Sequence, residues 1–125
     1  NDINMDEAKK IVANGIKYYI EVANMPTTND ALVYLMGQKN MIVAPSKAVN
    51  AGGVAVSGLE MSQNSERLSW TEEEVDQKLH QIMKNIHDAS VAAAEEFGLG
   101  YNLVAGANIA GFKKVADAML AQGIF

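Results

Sequence analysis

An alternation of helix and strand signals in the first 45 residues constrains the fold of this chain most strongly. Two apolar segments, residues 16–23 and 41–44, are rich in β-branched or aromatic residues, and a proline follows each one. Each segment comes after a stretch with helical periodicity, which predicts an α/β unit with parallel strands. Because two strands do not make a stable open sheet, either further strands precede Asn1 or the rest of the chain covers these two.

Capping motifs mark where several helices begin or end. Asn4 with Glu7, and Thr71 with Glu74, match the capping-box pattern, in which an N-cap side chain and a carboxylate three residues later satisfy each other's free backbone N–H groups. Gly15 is predicted to end the first helix because glycine adopts the left-handed conformation readily. These local signals predict a short helix near the start of the chain and a long one after residue 71.

Everything after residue 50 is predicted to be helical. We expect three long helices: one at 51–68 capped by Asn50, one from Thr71 to about Phe97, and one from about 103 to 122. Small residues dominate 105–111 in the last helix, and small side chains allow another backbone to approach closely. We interpret that segment as a packing surface and not as a catalytic one.

Composition excludes several classes of function. The chain has 10 Lys and Arg against 15 Asp and Glu, a net charge of −5, and its basic residues are scattered, so nucleic acid is not an expected partner. It has no cysteine and no run of about 20 apolar residues, so we expect neither a disulfide nor a membrane span. The sequence shows no signal-peptide pattern, and we expect a cytoplasmic location. A start at Asn1, close to a helix signal, suggests a piece of a larger protein.

Motifs for phosphate binding or metal binding do not emerge from the sequence. No G-x-G-x-x-G is present, and the glycines at 106 and 111 precede Phe112 where a P-loop needs lysine. His80 and His87 are seven residues apart on one predicted helix, about 10 Å along its axis, too far to share one metal ion. We therefore predict no metal site and assign no catalytic residue.

Residues 46–58 are the strongest candidate for a binding segment. Gly52 and Gly53 fall in the first turn of a predicted helix, where each lowers helix stability by roughly 1 kcal/mol. Two explanations stay open: close packing of this helix on the sheet, or free N–H groups that donate to a polar or anionic ligand. Asn24 and Asn50 are expected at the carboxyl edge of the sheet, where ligands of parallel sheets bind, although cap or turn formation is the commoner role of Asn.

Longer motifs resemble a known family. Residues 23–28 (ANMPTT), 44–54 (APSKAVNAGGV), 57–64 (SGLEMSQN), 106–112 (GANIAGF) and 115–119 (VADAM) are similar, in order, to the bacterial hexameric glutamate dehydrogenases. The resemblance implies an α/β fold, with residues 1–50 as the end of a Rossmann-like dinucleotide-binding domain with about two parallel strands. It implies that residues 51–125 form three long packed helices that cross the cleft.

The resemblance also implies roles for four residues. Ser57 would hydrogen-bond the distal carboxylate of glutamate, Val54 would line the same pocket, and Asn24 and Asn50 would lie near the nicotinamide and its ribose. The implied reaction interconverts L-glutamate with 2-oxoglutarate and ammonia using NADP or NAD, with NADP slightly favoured. The catalytic lysine and aspartate would lie upstream, so this segment alone is expected to be inactive and the full-length protein to be a homohexamer.

Two other interpretations compete with this one. A related dehydrogenase for leucine, valine or phenylalanine would need an apolar residue at position 57, where Ser57 stands. A non-enzymatic helical interaction module is the second alternative, and the missing catalytic residues favour it.

Overall fold

The computed structural model describes residues 1–123 and contains two short strands and six helices within that range. The elements are α1 (Met5–Ala13), β1 (Tyr18–Ile20), α2 (Asn29–Met36), β2 (Ile42–Ala44), α3 (Ser46–Val49), α4 (Ala51–Glu66), α5 (Glu72–Glu96) and α6 (Leu103–Gln122). The strands are parallel, with Tyr19 opposite Val43. The predicted α/β unit followed by three long helices is confirmed.

Both predicted capping boxes form. The side chain of Asn4 accepts hydrogen bonds from the backbone N–H groups of Asp6 and Glu7, and the Glu7 carboxylate accepts from the Asn4 N–H. Gly15, with φ of +71°, follows the end of α1 as predicted. At the start of α5 the same reciprocal pair joins Thr71 and Glu74. These motifs were predictable because all their atoms come from one short segment.

The first strand is shorter than predicted. Residues 16–23 were expected to be extended, but β1 spans only Tyr18–Ile20. The ladder reaches one residue further on each side, since Ile42 N–H donates to Lys17 O and Glu21 N–H donates to Ala44 O. Pairing ends there because the next N–H in the ladder, that of Ser46, donates to the Glu21 side chain and not to the Glu21 backbone carbonyl.

The hydrophobic core joins the α/β unit to the last helix. Its buried members are Ala8 of α1, Ala31 and Leu35 of α2, Val43 of β2 and Val104 of α6. Leu35 is fully buried. Helix α6 therefore covers the sheet with its first turn and pairs with α5 along its length.

The packing of α5 on α6 depends on a glycine. A Cβ atom placed on Gly106 would lie 1.9 Å from the carbonyl oxygen of Ser90, much closer than any real contact. Ser90 is 3% exposed, and Ala94, one turn later on α5, is fully buried. The small residues predicted to allow close approach in the last helix do so at this point.

Helix α4 begins differently from the prediction. Asn50 was expected to cap it, but the Asn50 side chain makes no capping bond and its backbone is itself helical, with φ of −81° and ψ of −3°. The preceding residues form the short helix α3, so the chain runs almost continuously from Ser46 into α4. The prediction was wrong because the Asn50 amide bonds to Asn24, a residue distant in sequence.

Within residues 1–123, no helix is both long and apolar enough to span a membrane.

Candidate functional site

Two asparagine side chains meet at the carboxyl edge of the sheet. Asn24 lies in the turn after β1, and Asn50 lies between α3 and α4, after β2. Asn50 Nδ2 donates to Asn24 Oδ1 at 2.7 Å. In the turn, Met25 has φ of +47°, a conformation uncommon for a residue with a side chain. The structure thus brings together the two residues that the sequence placed at this edge.

The remaining hydrogen-bonding groups of this pair are suited to a neutral polar ligand. An amide has two donor hydrogens and an acceptor oxygen, and the Asn24–Asn50 bond uses only one donor and one acceptor. Asn24 Nδ2 can therefore donate a hydrogen bond to a ligand, and Asn50 Oδ1 can accept one from it. That combination matches a carboxamide or a sugar hydroxyl group.

Val54 and Ser57 lie on one face of α4 together with Asn50. At 3.6 residues per turn, positions 50, 54, 57 and 61 fall on the same side of the helix. Val54 is 78% exposed and Met61 is 70% exposed. Ser57 is also exposed, and its hydroxyl donates to the carbonyl oxygen of Gly53 at 3.2 Å. We call Gly53, Val54, Ser57, Gly58 and Met61 the open face of α4.

Gly52 and Gly53 are adjacent in the predicted binding segment, but they have different surroundings. A Cβ on Gly52 would meet Met83 Sδ at 3.4 Å and Leu79 Cδ1 at 3.6 Å, so this glycine lies against α5 and not against the sheet. A Cβ on Gly53 would meet nothing within 4 Å. Packing explains the first glycine, whereas the second lies on an open surface.

Two N–H groups near the start of α4 donate to carbonyl groups within the chain. Gly53 N–H donates to Asn50 O at 3.2 Å, and Asn50 N–H donates to Ser46 O at 2.8 Å. Because α3 precedes α4 almost without interruption, the start of the helical run moves back to Ser46. The predicted polar site at the first turn of α4 stays a prediction.

Sequence reasoning missed a buried carboxylate at the same edge. Glu21 follows β1 directly and is only 5% exposed, and its Oε2 accepts a hydrogen bond from Ser46 N–H at 3.1 Å. Beside it, Lys47 Nζ donates to Asn108 Oδ1 at 2.5 Å. These four residues line part of a cleft of about 470 Å³. The available signal was a single acidic residue near the end of the predicted strand segment 16–23.

The four predicted site residues do not titrate near neutral pH. They offer amide, hydroxyl and alkyl groups, which bind and orient a ligand but do not supply general acid–base catalysis. Shifted pKa values on the long helices belong to other residues. Hydrogen bonds from Thr71 hold the pKa of Glu74 below its ordinary value, and Lys84 followed by His87 lowers the pKa of Asp88.

The two histidines make separate local contacts. His80 lies 3.3 Å from the carboxylate of Asp76, one turn earlier on α5. His87 Nε2 lies 2.7 Å from the Tyr101 hydroxyl, and its Nδ1 lies 3.2 Å from Asp88. In the described part of the chain, no group of three or more His, Cys, Asp or Glu side chains is arranged to hold a metal ion.

The fold is that of an α/β protein in which two amide side chains meet at the carboxyl ends of parallel strands. The profile of the Glutamate/Leucine/Phenylalanine/Valine dehydrogenase family matches residues 1–123, so the chain belongs to that family. It is 77% identical over 124 residues to the NAD-specific glutamate dehydrogenase of Clostridium symbiosum, covering 99% of this chain. It is 56% identical over 124 residues to the NADP-specific glutamate dehydrogenase of Escherichia coli K12, again over 99% of this chain.

A solved structure named glutamate dehydrogenase is similar with a TM-score of 0.94 and 77% identity over 99% of this chain, and the match covers 28% of that structure. The chain spans 28% of the length of the Clostridium relative and 27% of the Escherichia relative.

Proposed function

We propose that the full-length protein is an NAD- or NADP-dependent glutamate dehydrogenase. L-Glutamate, water and NAD(P)+ would give 2-oxoglutarate, ammonium, NAD(P)H and a proton, and the reaction would be reversible. The observation that carries this proposal is the family match across residues 1–123, together with 77% identity to a relative named NAD-specific glutamate dehydrogenase. We propose either NAD or NADP as the cofactor, because relatives of each specificity match this chain.

Ser57 is the residue that favours glutamate among the substrates of the family. Its hydroxyl now makes a 3.2 Å bond to Gly53 O on an exposed helix face, so turning toward a ligand carboxylate exchanges one weak bond for a charge-assisted one. Val54, 78% exposed on the same face, would line the pocket beside it. An apolar amino-acid side chain would leave the hydroxyl without that partner, which lowers its affinity.

Asn24 and Asn50 would hold the nicotinamide end of the cofactor. Their joined amides leave one donor group and one acceptor group, which fits the carboxamide or the adjoining ribose. The chemistry that NAD(P)+ would supply when bound is acceptance of a hydride from the substrate carbon. The chain's own contribution is to orient that end of the cofactor and to close the pocket over the substrate.

The catalytic lysine and aspartate would come from the rest of the full-length protein. We assign residues 1–50 to the dinucleotide-binding domain and residues 51–125 to a helical part that packs across the cleft. On this assignment the 125-residue segment alone is inactive. The family resemblance supports a cytoplasmic homohexamer that releases or takes up ammonia.

Turnover by the full-length protein tests the proposal. We expect reduction of NAD+ or NADP+ with glutamate, and much slower reduction with leucine, valine or phenylalanine. Turnover of leucine without glutamate would contradict the substrate assignment. Glutamate oxidation by the 125-residue segment alone would contradict the assignment of the catalytic groups to another part of the protein.

A further inference from the structure

Two side-chain hydrogen bonds join the segment after β1 to the segment after β2. Glu21 accepts from Ser46 N–H, and Asn24 accepts from Asn50 Nδ2. Ser46 and Asn50 are the two ends of one helical turn, since Asn50 N–H donates to Ser46 O at 2.8 Å. One hydrogen bond therefore joins each end of this turn to the segment that follows β1.

Glu21 replaces a missing helix cap. The residue at the N-cap position of α3 is Pro45, whose side chain has no oxygen, so it cannot accept from the first N–H groups of the helix. The carboxylate of Glu21 supplies that acceptor from another element. A carboxylate on a residue only 5% exposed is unfavourable without a hydrogen-bond donor, so the same bond also satisfies Glu21.

The bond fixes where α3 lies relative to β1. The Glu21 backbone belongs to the sheet, because its N–H donates to Ala44 O at 3.0 Å. Its side chain is therefore held at a defined position from which it reaches Ser46. The turn that follows Ser46 then carries Asn50 to within hydrogen-bonding distance of Asn24.

We propose that Glu21 is a positioning residue: its hydrogen bond to Ser46 holds α3 in place, and α3 in turn holds the Asn50 amide against Asn24 for the cofactor. This rests on the proposed function, in which that amide pair binds the nicotinamide end of the dinucleotide. Glu21 acts through Asn50 and not on the ligand, because its Oε2 is engaged by a backbone N–H and its side chain is buried.

The test measures dissociation constants of NADH and NADPH for the full-length protein by fluorescence titration, alongside thermal unfolding. Glu21→Ala is expected to weaken binding of the preferred dinucleotide about five- to tenfold, because a bond to a charged group is lost. Glu21→Gln keeps an oxygen at the same reach and is expected to weaken binding at most about twofold. Glu21→Asp keeps the charge but is one methylene too short, so it is expected to behave like Glu21→Ala. Glu95→Ala, at an exposed glutamate of α5, is the matched control.

A double variant separates positioning from general destabilisation. If Glu21 acts through Asn50, Glu21→Ala with Asn50→Ala binds the dinucleotide no more weakly than Asn50→Ala alone. Multiplied losses in the double variant would overturn the proposal, and so would wild-type affinity in Glu21→Asp or in Glu21→Ala. Binding is measured without turnover, so a protein that binds NADH but does not oxidise glutamate would refute the proposed function while this test still decides the role of Glu21.

Discussion

Glycines occur in α6 and in α4 for opposite structural reasons. Gly106 of α6 lies against the backbone of α5, where a Cβ would come within 1.9 Å of Ser90 O. Gly53 and Gly58 of α4 face open space, and a Cβ added to either would meet nothing within 4 Å. The first glycine is needed for packing within this chain, whereas the other two leave a surface uncovered. The same residue type therefore lies at an internal interface in one helix and on an uncovered surface, the proposed substrate-binding face, in the other.

We expect substitutions in the two regions to have different effects, one region determining stability and the other activity. Side chains at the α5–α6 contact are buried, so changes there act on folding. Side chains on the open face of α4 have few neighbours, so changes there leave folding nearly unchanged and act on ligand affinity.

The largest effect is expected from Gly106→Ala. The added methyl group collides with backbone atoms of Ser90, which cannot move aside without separating α5 from α6. Overpacking of this kind costs about 3 kcal/mol, so the unfolding midpoint of the full-length protein in urea should fall clearly.

Gly53→Ala is the matched control for that variant. Its methyl group meets open space on a helix, where alanine is favoured over glycine by roughly 0.5–1 kcal/mol, so the urea midpoint should stay equal or rise. A fall as large as that of Gly106→Ala would show that the open face of α4 is packed against another part of the protein.

Ser57→Val should change substrate affinity more than stability. The variant removes the hydroxyl proposed to bind the distal carboxylate, and loss of a bond to a charged group raises KM for glutamate by about tenfold or more. The preference for glutamate over uncharged side chains should weaken in parallel. The urea midpoint should change little, because within residues 1–123 the Ser57 hydroxyl bonds only to Gly53 O.

Ser62→Val provides the control within the same helix. Ser62 is exposed, and its hydroxyl donates to Gly58 O at 3.0 Å, the same kind of bond that Ser57 makes. Position 62 lies about 140° around the helix from position 57, so its KM for glutamate should stay at the wild-type value. Equal effects of the two variants on KM would remove Ser57 from the pocket.

Local parts of the fold were predictable from sequence, and long-range contacts were not. The capping boxes at Asn4 and Thr71 involve residues three apart, so their geometry follows from the residue types alone. The meeting of Asn24 and Asn50 followed from a general property of parallel sheets, in which all carboxyl ends share one edge.

The errors at β1 and α4 have a common physical cause. Both arise from side-chain bonds between distant residues: Glu21 with Ser46, 25 residues apart, and Asn24 with Asn50, 26 residues apart. A side chain that caps a helix from another strand replaces the local cap that sequence patterns reveal, so the start of α3 had no local signal. The roles of Val54 and Ser57 stay predictions, since they depend on a ligand bound at the open face of α4.

The smallest effect is expected from the charge at the start of α5, which belongs to neither compared region. The Thr71 N–H donates to Glu74 Oε2 at 2.7 Å, and with the Thr71 hydroxyl it holds the pKa of Glu74 below its ordinary value of 4.5. A carboxyl group with a lowered pKa in the folded state contributes stability above its ordinary pKa and loses it as the pH falls through the lowered value. The difference in urea midpoint between wild type and Glu74→Gln should therefore be constant above pH 4.5 and shrink below it. A difference of unchanged size above and below pH 4.5 would contradict the role of the capping box.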